Sequence, residues 1–262
     1  MFRKKLSNSA KNIRVIVRLD IKGSNVVKPV MAEALKVVGN PRELARRYYK
    51  EGADELVYMD IVASLYNRNL DLEQLQKVTE GIFIPITVGG GIRSIGDINN
   101  ALRAGADKVA INTYAINHPQ FLRQAVETFG AQCIVLSVDA KKQANGQYEP
   151  YTDGGREKTG KEVVSWVKEA IKMGVGEVMV ASIDREGTRK GFDLELAKSI
   201  TAFSPVPVIV HGGAGSLDSI RRAIVEGSAD AISASSIFHY KQYMIEEVKV
   251  FLSHARLNVR LS

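Results

Sequence analysis

The chain of 262 residues contains one cysteine, one tryptophan and four histidines, so several kinds of chemistry have little material to work with. Cys133 lies in an apolar run and is expected to be a buried, unreactive thiol. His118, His211, His239 and His254 share no ligand spacing, so no metal site is read from them. No apolar stretch reaches the roughly eighteen residues that a membrane span needs. The first twelve residues are basic but have no apolar centre, so they read as a short solvated arm and not as a signal peptide. A soluble, cytoplasmic protein is expected. Linkers and low-complexity segments are also missing, and residues 1–262 are expected to form a single domain. Bases are nowhere interleaved with exposed aromatics, which argues against nucleic acid. The excess of 36 Lys and Arg over 29 Asp and Glu, a net charge of +7, suits phosphorylated substrates equally well.

What is present is a repeat. Pro85-Ile86-Thr87-Val88-Gly89-Gly90-Gly91 aligns with Pro207-Val208-Ile209-Val210-His211-Gly212-Gly213, and Arg103-Ala104-Gly105-Ala106 aligns with Val225-Glu226-Gly227-Ser228 at the same offset. Asp20, followed two residues later by Lys22, corresponds to Asp139 and Lys141. Eight short β-branched runs alternate with helical segments, the pattern of consecutive βα units. The runs are 14–20, 55–60, 84–88, 108–112, 133–139, 177–183, 206–210 and 229–234. Helices are expected over 41–51, 70–80, 95–104, 119–129, 160–173, 193–203 and 216–226. Gly52, Gly105, Gly130, Gly174 and Gly227 stand where these helices need a left-handed stop. Eight such units with an internal duplication imply an α/β fold, a closed (β/α)8 TIM barrel made of two half-barrels. The longer connections 22–40 and 141–159 follow corresponding strands and read as lids.

In a barrel of this kind chemistry sits at the C-terminal strand ends, where Asp20 and Asp139 both fall. They are candidates for a general acid and base, against the plainer reading of two turn-forming aspartates. Gly89-Gly90-Gly91 and Gly212-Gly213 each close a strand before a helix. Their N–H groups could cradle an anion, or the glycines could simply make tight turns. Each is followed by a second polar strand end, Asn112-Thr113 or Ala234-Ser235-Ser236. Two cradles favour a substrate with two phosphates. At the opposite end Arg14, Glu55, Lys108 and Glu177 each begin a strand and could close the floor as a neutral ring, for which structural salt bridging is the ordinary explanation. Arg14, Arg18 and Asp20 share one side of their strand. His211 stands at a cradle edge in the place of Gly89, where it could hydrogen-bond a substrate.

Together these residues resemble the cyclase subunit of imidazole glycerol phosphate synthase, from about Arg14 to His239. The most specific pieces are Gly52-Ala53-Asp54-Glu55-Leu56-Val57, Thr87 to Ile92, Gly105-Ala106-Asp107-Lys108-Val109, Ser182 to Thr188 and His211-Gly212-Gly213-Ala214-Gly215. The resemblance implies a (β/α)8 barrel of two half-barrels. Its activity would join ammonia to a bis-phosphorylated ribulosyl aminoimidazole carboxamide precursor, giving imidazole glycerol phosphate and an aminoimidazole carboxamide ribotide. It implies no cofactor or metal. Asp20 and Asp139 match the catalytic carboxylates. Gly91, Asn112 and Thr113 match one phosphate site, and Gly187, Gly213, Ala234 and Ser235 the other. Arg14, Glu55, Lys108 and Glu177 match a gate admitting ammonia from a separate glutaminase docked on the barrel floor, and Asp107 matches a contact to that partner. Cys133 has no histidine signature of a glutaminase beside it.

The sequence departs from the family at the substrate end. Arg18 replaces a small residue, Ala181 a threonine, Glu186 an aspartate and His211 a serine, and the first lid lacks the glycine usual after Lys28. An arginine there needs Asp20, Glu186 or an acidic ligand as partner. These four positions mark a possible change of specificity, and the chain is also similar to paralogues that amidate surface sugars with their own glutaminase. The sugar isomerase of histidine biosynthesis shares the paired aspartates but needs no gate. A silent barrel that only binds a glutaminase or a phosphorylated ligand is the reading from a different class.

Overall fold

Residues 11–30 and 33–261 are described by a computed structural model. Most of the basic arm expected at 1–12, and the tip of the first lid, lie outside them. The elements run β1 (Arg14–Lys22), β2 (Asn25–Val30), β3 (Glu33–Gly39), α1 (Pro41–Lys50), β4 (Glu55–Asp60), α2 (Leu72–Thr79), β5 (Ile86–Gly89), α3 (Ile95–Arg103), β6 (Lys108–Ile111), α4 (Thr113–Asn117), α5 (Gln120–Phe129) and β7 (Ile134–Lys142). They continue as β8 (Tyr148–Thr152), β9 (Glu157–Lys158), α6 (Val163–Lys172), β10 (Glu177–Ser182), α7 (Leu194–Thr201), β11 (Val208–His211), α8 (Leu217–Val225), β12 (Ala231–Ala234), α9 (Ser236–His239) and α10 (Ile245–His254).

Parallel pairing joins β1, β4, β5, β6, β7, β10, β11 and β12 in that order, and β12 pairs back onto β1, so the barrel closes as expected. Every residue of β4, β5, β10, β11 and β12 is buried, because the helices cover one face and the barrel interior the other. Ile16, Val57, Met59, Ala110, Val135, Met179, Ile209 and Ala231 fill that interior as their own apolar cluster, between floor and mouth.

The duplication extends to the devices that start helices. Asp71 accepts from the Gln74 N–H and Asp193 from the Leu196 N–H, while Ser94 and Ser216 accept from the N–H groups of Asp97 and Ser219. Each oxygen satisfies an N–H that the first helical turn leaves unpaired. The match slips by one residue after Gly227. That glycine was expected to be a left-handed stop, but Ser228 carries the positive φ, 55°. Gly227 is needed for a different reason, since a Cβ there would stand 2.4 Å from the Ala223 carbonyl oxygen. One further feature was not foreseen, and one further expectation needs correction. Both lids contain antiparallel extensions of barrel strands, β2 and β3 on β1 and β8 and β9 on β7, because each strand runs past its aspartate and folds back. Cys133 is half-buried, in a 3-10 turn before β7 and not on the strand itself.

Candidate active site

Asp20 and Asp139 end up on opposite walls of one mouth. β1 and β7 are four strands apart in the ring of eight, and both aspartates line a cavity of about 380 Å3 at the C-terminal strand ends. Ala181 lies level with both Asp139 and His211 in the sheet register, which brings two of the four unusual positions into the same layer.

The two acids are held differently. Asp20 is 1% exposed and receives the Arg18 Nε on Oδ1 at 2.7 Å, with Lys28 Nζ 3.5 Å from Oδ2. Burial alone would raise its pKa, but Arg18 and then Lys28 outweigh that and hold the carboxyl well below its usual range. Asp139 instead accepts a hydrogen bond from the Asn112 amide, Nδ2 to Oδ2 at 3.0 Å. Burial raises its pKa, and the attraction of Arg18 only partly offsets this. Two matched aspartates therefore differ in affinity for a proton, the arrangement by which one site supplies both an acid and a charged group.

Lys28 arrives from β2 and is 3% exposed. It bridges Asp20 to Glu186, with which it makes a close ion pair. Burial and the neighbouring Arg18 bring its pKa down to about 8, against the pull of Asp20. Glu186 also stands 3.0 Å from His211 Nε2, while His211 Nδ1 faces the carbonyl and hydroxyl oxygens of Ser233 at 3.0 and 3.2 Å. Burial keeps the His211 pKa well below the ordinary value, so the ring is neutral near pH 7. Its Nδ1 is engaged by Ser233, while Nε2 is shielded from water and faces Glu186 without a hydrogen bond. Sequence patterning gave Lys28 no role beyond the lid, since only the fold-back of β2 carries it into the mouth.

The cradles are unequal. Gly90, Gly91, Asn112 and Thr113 border the large cavity, which Arg93 and Arg156 also line. Gly90 and Gly212 occupy matching left-handed conformations, φ 96° and 95°, and a Cβ on either would press on the carbonyl oxygen of Asp60 or Ser182. Gly187, Gly213, Ala234 and Ser235 do gather around a second hollow, but it measures about 10 Å3 because Glu186, Lys28 and His211 crowd it. That is space for about one water molecule. The Asn112 side chain is turned to Asp139 and the Tyr151 carbonyl, and Thr113 Oγ1 accepts from the Asp153 N–H.

At the floor the four charged strand starts meet. Arg14 Nη1 donates to Glu55 at 2.9 Å and Nη2 pairs with Glu177, while Lys108 Nζ lies 2.8 Å from both glutamates. Thr87 Oγ1 donates to Glu55 Oε1 at 2.6 Å. Each cation touches both anions, so the ring is closed and neutral. Asp107 is exposed beside it, and its Oδ2 accepts from the Ile86 N–H at 2.8 Å. Asp54 and Asp230 do the same for Val15 and Val208. An aspartate directly before a strand, three times over, was a readable signal of this clasp.

No helix among the described residues is long and apolar enough to cross a membrane. Residues 14–244 match the family model described as "Histidine biosynthesis protein". The imidazole glycerol phosphate synthase subunit HisF of Legionella pneumophila is 55% identical over 207 residues, which cover 79% of this chain and 98% of that relative. The closed barrel, the family-model match over residues 14–244 and the 55% identity together make this chain a member of the histidine biosynthesis protein family, alongside the HisF subunits.

Proposed function

We propose that the chain is the ammonia-using cyclase subunit of an imidazole glycerol phosphate synthase, a cytoplasmic lyase that works with a separate glutaminase docked on the barrel floor. The observation that carries this reading is the alignment of three layers along one axis. The salt-bridged ring of Arg14, Glu55, Lys108 and Glu177 leads to an apolar interior and then to Asp20 and Asp139 at the cavity. Neutral ammonia crosses an apolar passage at little cost, whereas ammonium would have to shed its water. The ring must part to admit it.

At the mouth, Gly91 with the Asn112–Thr113 strand end anchors one phosphate of the substrate, and the backbone near Gly187, Gly213, Ala234 and Ser235 anchors the other. The reacting atoms then lie between the acids. Asp139 takes up and returns a proton and Asp20 offers a standing negative charge as ammonia condenses, the ring closes and the C–N bond breaks. The test is turnover of the bis-phosphorylated precursor with ammonium salt alone. Asp20→Asn and Asp139→Asn are each expected to lower kcat by about 100-fold or more while phosphate still binds. Unchanged turnover in either removes that residue from the chemistry.

The crowded second hollow and the Arg18–Asp20 pair favour one further reading, in which the barrel passes ammonia to a sugar precursor to form an amidine. Folded wild-type protein that leaves the histidine precursor untouched at high ammonia would support it. Asp107, already engaged through Oδ2, contributes to the glutaminase surface by its exposed edge.

A further inference from the structure

Arg18 is the one charged residue on the inner side of β1 between the floor ring and Asp20, two residues below the acid. It is 8% exposed and lines the cavity that holds both aspartates. Its Nε is spent on Asp20 Oδ1, and its Nη1, shielded from water, has no hydrogen-bond partner among the described residues. Placing an arginine in this interior is unfavourable unless its charge is matched, and Asp20 matches it. The consequence falls on Asp20 as much as on Arg18. The aspartate now has a guanidinium on one oxygen and the Lys28 ammonium near the other, while Asp139 has only an amide.

We propose that Arg18 is a positioning residue: its guanidinium fixes Asp20 as a permanent carboxylate and leaves Asp139, held by the neutral Asn112 amide, as the acid of the pair that exchanges protons with substrate. The duplicated halves thus supply two carboxylates with separate duties. Asp139 in its ionised form takes a proton from the nitrogen of newly added ammonia and returns it to the departing group, ending as it began. Asp20 keeps its charge throughout and stabilises the positive charge that develops on that nitrogen.

The groups around Asp20 support this division. Arg18 from its own strand and Lys28 from β2 favour its ionised form. His211 from β11 and His239 from α9 are neutral through burial, so neither is a cation that competes with the guanidinium for Asp20. Glu186 is occupied by Lys28 and His211, and Asp60 at the end of β4 is paired with Arg68. Only Asp139 remains to sense Arg18 across the mouth, and its attraction to Arg18 is outweighed by its burial.

The inference rests on the two aspartates being the reacting acids, but its test needs no turnover. Protein with 13C at the aspartate Cγ is titrated by NMR from pH 3 to 9, with signals assigned through Asp20→Asn and Asp139→Asn. In the wild type Asp139 is expected to show a protonation step above the ordinary carboxylate range and Asp20 to show none. In Arg18→Met the Asp20 step moves up by about 2–3 pH units and enters the window at its acid end. Arg18→Lys, which restores the charge, moves it back, and this also controls for damage to the fold in the methionine variant. If the wild-type acids titrate together, or if Asp20 stays ionised in folded Arg18→Met, the proposal is overturned. Wild-type protein that turns over no histidine precursor yet shows the separated titrations would remove the proposed substrate and leave the assignment of Arg18 standing.

Discussion

Lowering the pH should destabilise this barrel through His239, a residue outside the reacting pair. His239 is 7% exposed behind β1, where Nδ1 lies 2.7 Å from the Tyr48 hydroxyl. Burial, reinforced by Lys28, brings its pKa from 6.5 to about 4. Above pH 6.5 the ring is neutral in both the folded and the unfolded chain. Between 6.5 and 4 the unfolded chain binds a proton that the folded chain refuses, so stability falls with pH across that window and the loss is complete below 4. A separation of about 2.5 pH units at 1.36 kcal/mol each corresponds to a loss on the order of 3 kcal/mol. Urea unfolding of the wild type and of His239→Gln at pH 7.5 and pH 4.5 isolates this contribution, because His211, Asp20 and Asp139 act in both proteins and cancel. The wild type should lose close to 3 kcal/mol more than the variant over that interval. Equal losses would mean that His239 accepts its proton in the folded state and that its burial has been overrated.

Two other outcomes follow from the ends of the barrel. Glu55→Ala should lower the unfolding free energy by about 3 kcal/mol, because it leaves the two cations Arg14 and Lys108 to share Glu177 alone and Thr87 Oγ1 without its acceptor, and calorimetry at pH 7 reads it directly. A loss below about 1 kcal/mol would mean that the ring is solvated and contributes little. Phosphate titrated into empty wild-type protein should fill the Gly91 cradle first, and Glu186→Ala should strengthen binding near Gly213 by removing the carboxylate that crowds it. Equal occupancy of both cradles in the wild type, seen by 31P NMR or in crystals, would show that Glu186 does not compete with phosphate.

The features legible in the sequence were those that depend on strand periodicity. An aspartate at the end of a strand falls at the barrel mouth and a charge at its start falls at the floor, so Asp20, Asp139 and the four floor residues were placed without knowing how helices pack. The cradles were legible as glycine positions but not as volumes. Whether Glu186 or a phosphate occupies the second depends on the length of one side chain and on Lys28, which is far away in the chain. The lids were legible as long connections, but their polar and glycine-rich composition hides short antiparallel strands that depend on pairing with β1 and β7. The partners of Arg18 were left open between Asp20, Glu186 and a ligand. Geometry resolved that choice, since the Nε reaches the aspartate two residues along its own strand.

The aspartate clasps at Asp54, Asp107 and Asp230 have a consequence for how such a barrel can be built or cut. Each carboxylate that opens one strand satisfies an amide at the start of the strand before it, in β1, β5 and β11 respectively. A βα unit with such a clasp is therefore chemically unfinished at its edge, and its predecessor keeps an unmet donor until it arrives. Fragments that end between β1 and β4, between β5 and β6, or between β11 and β12 would each carry an open seam. Fragments that keep clasped neighbours together are the better modules for recombination.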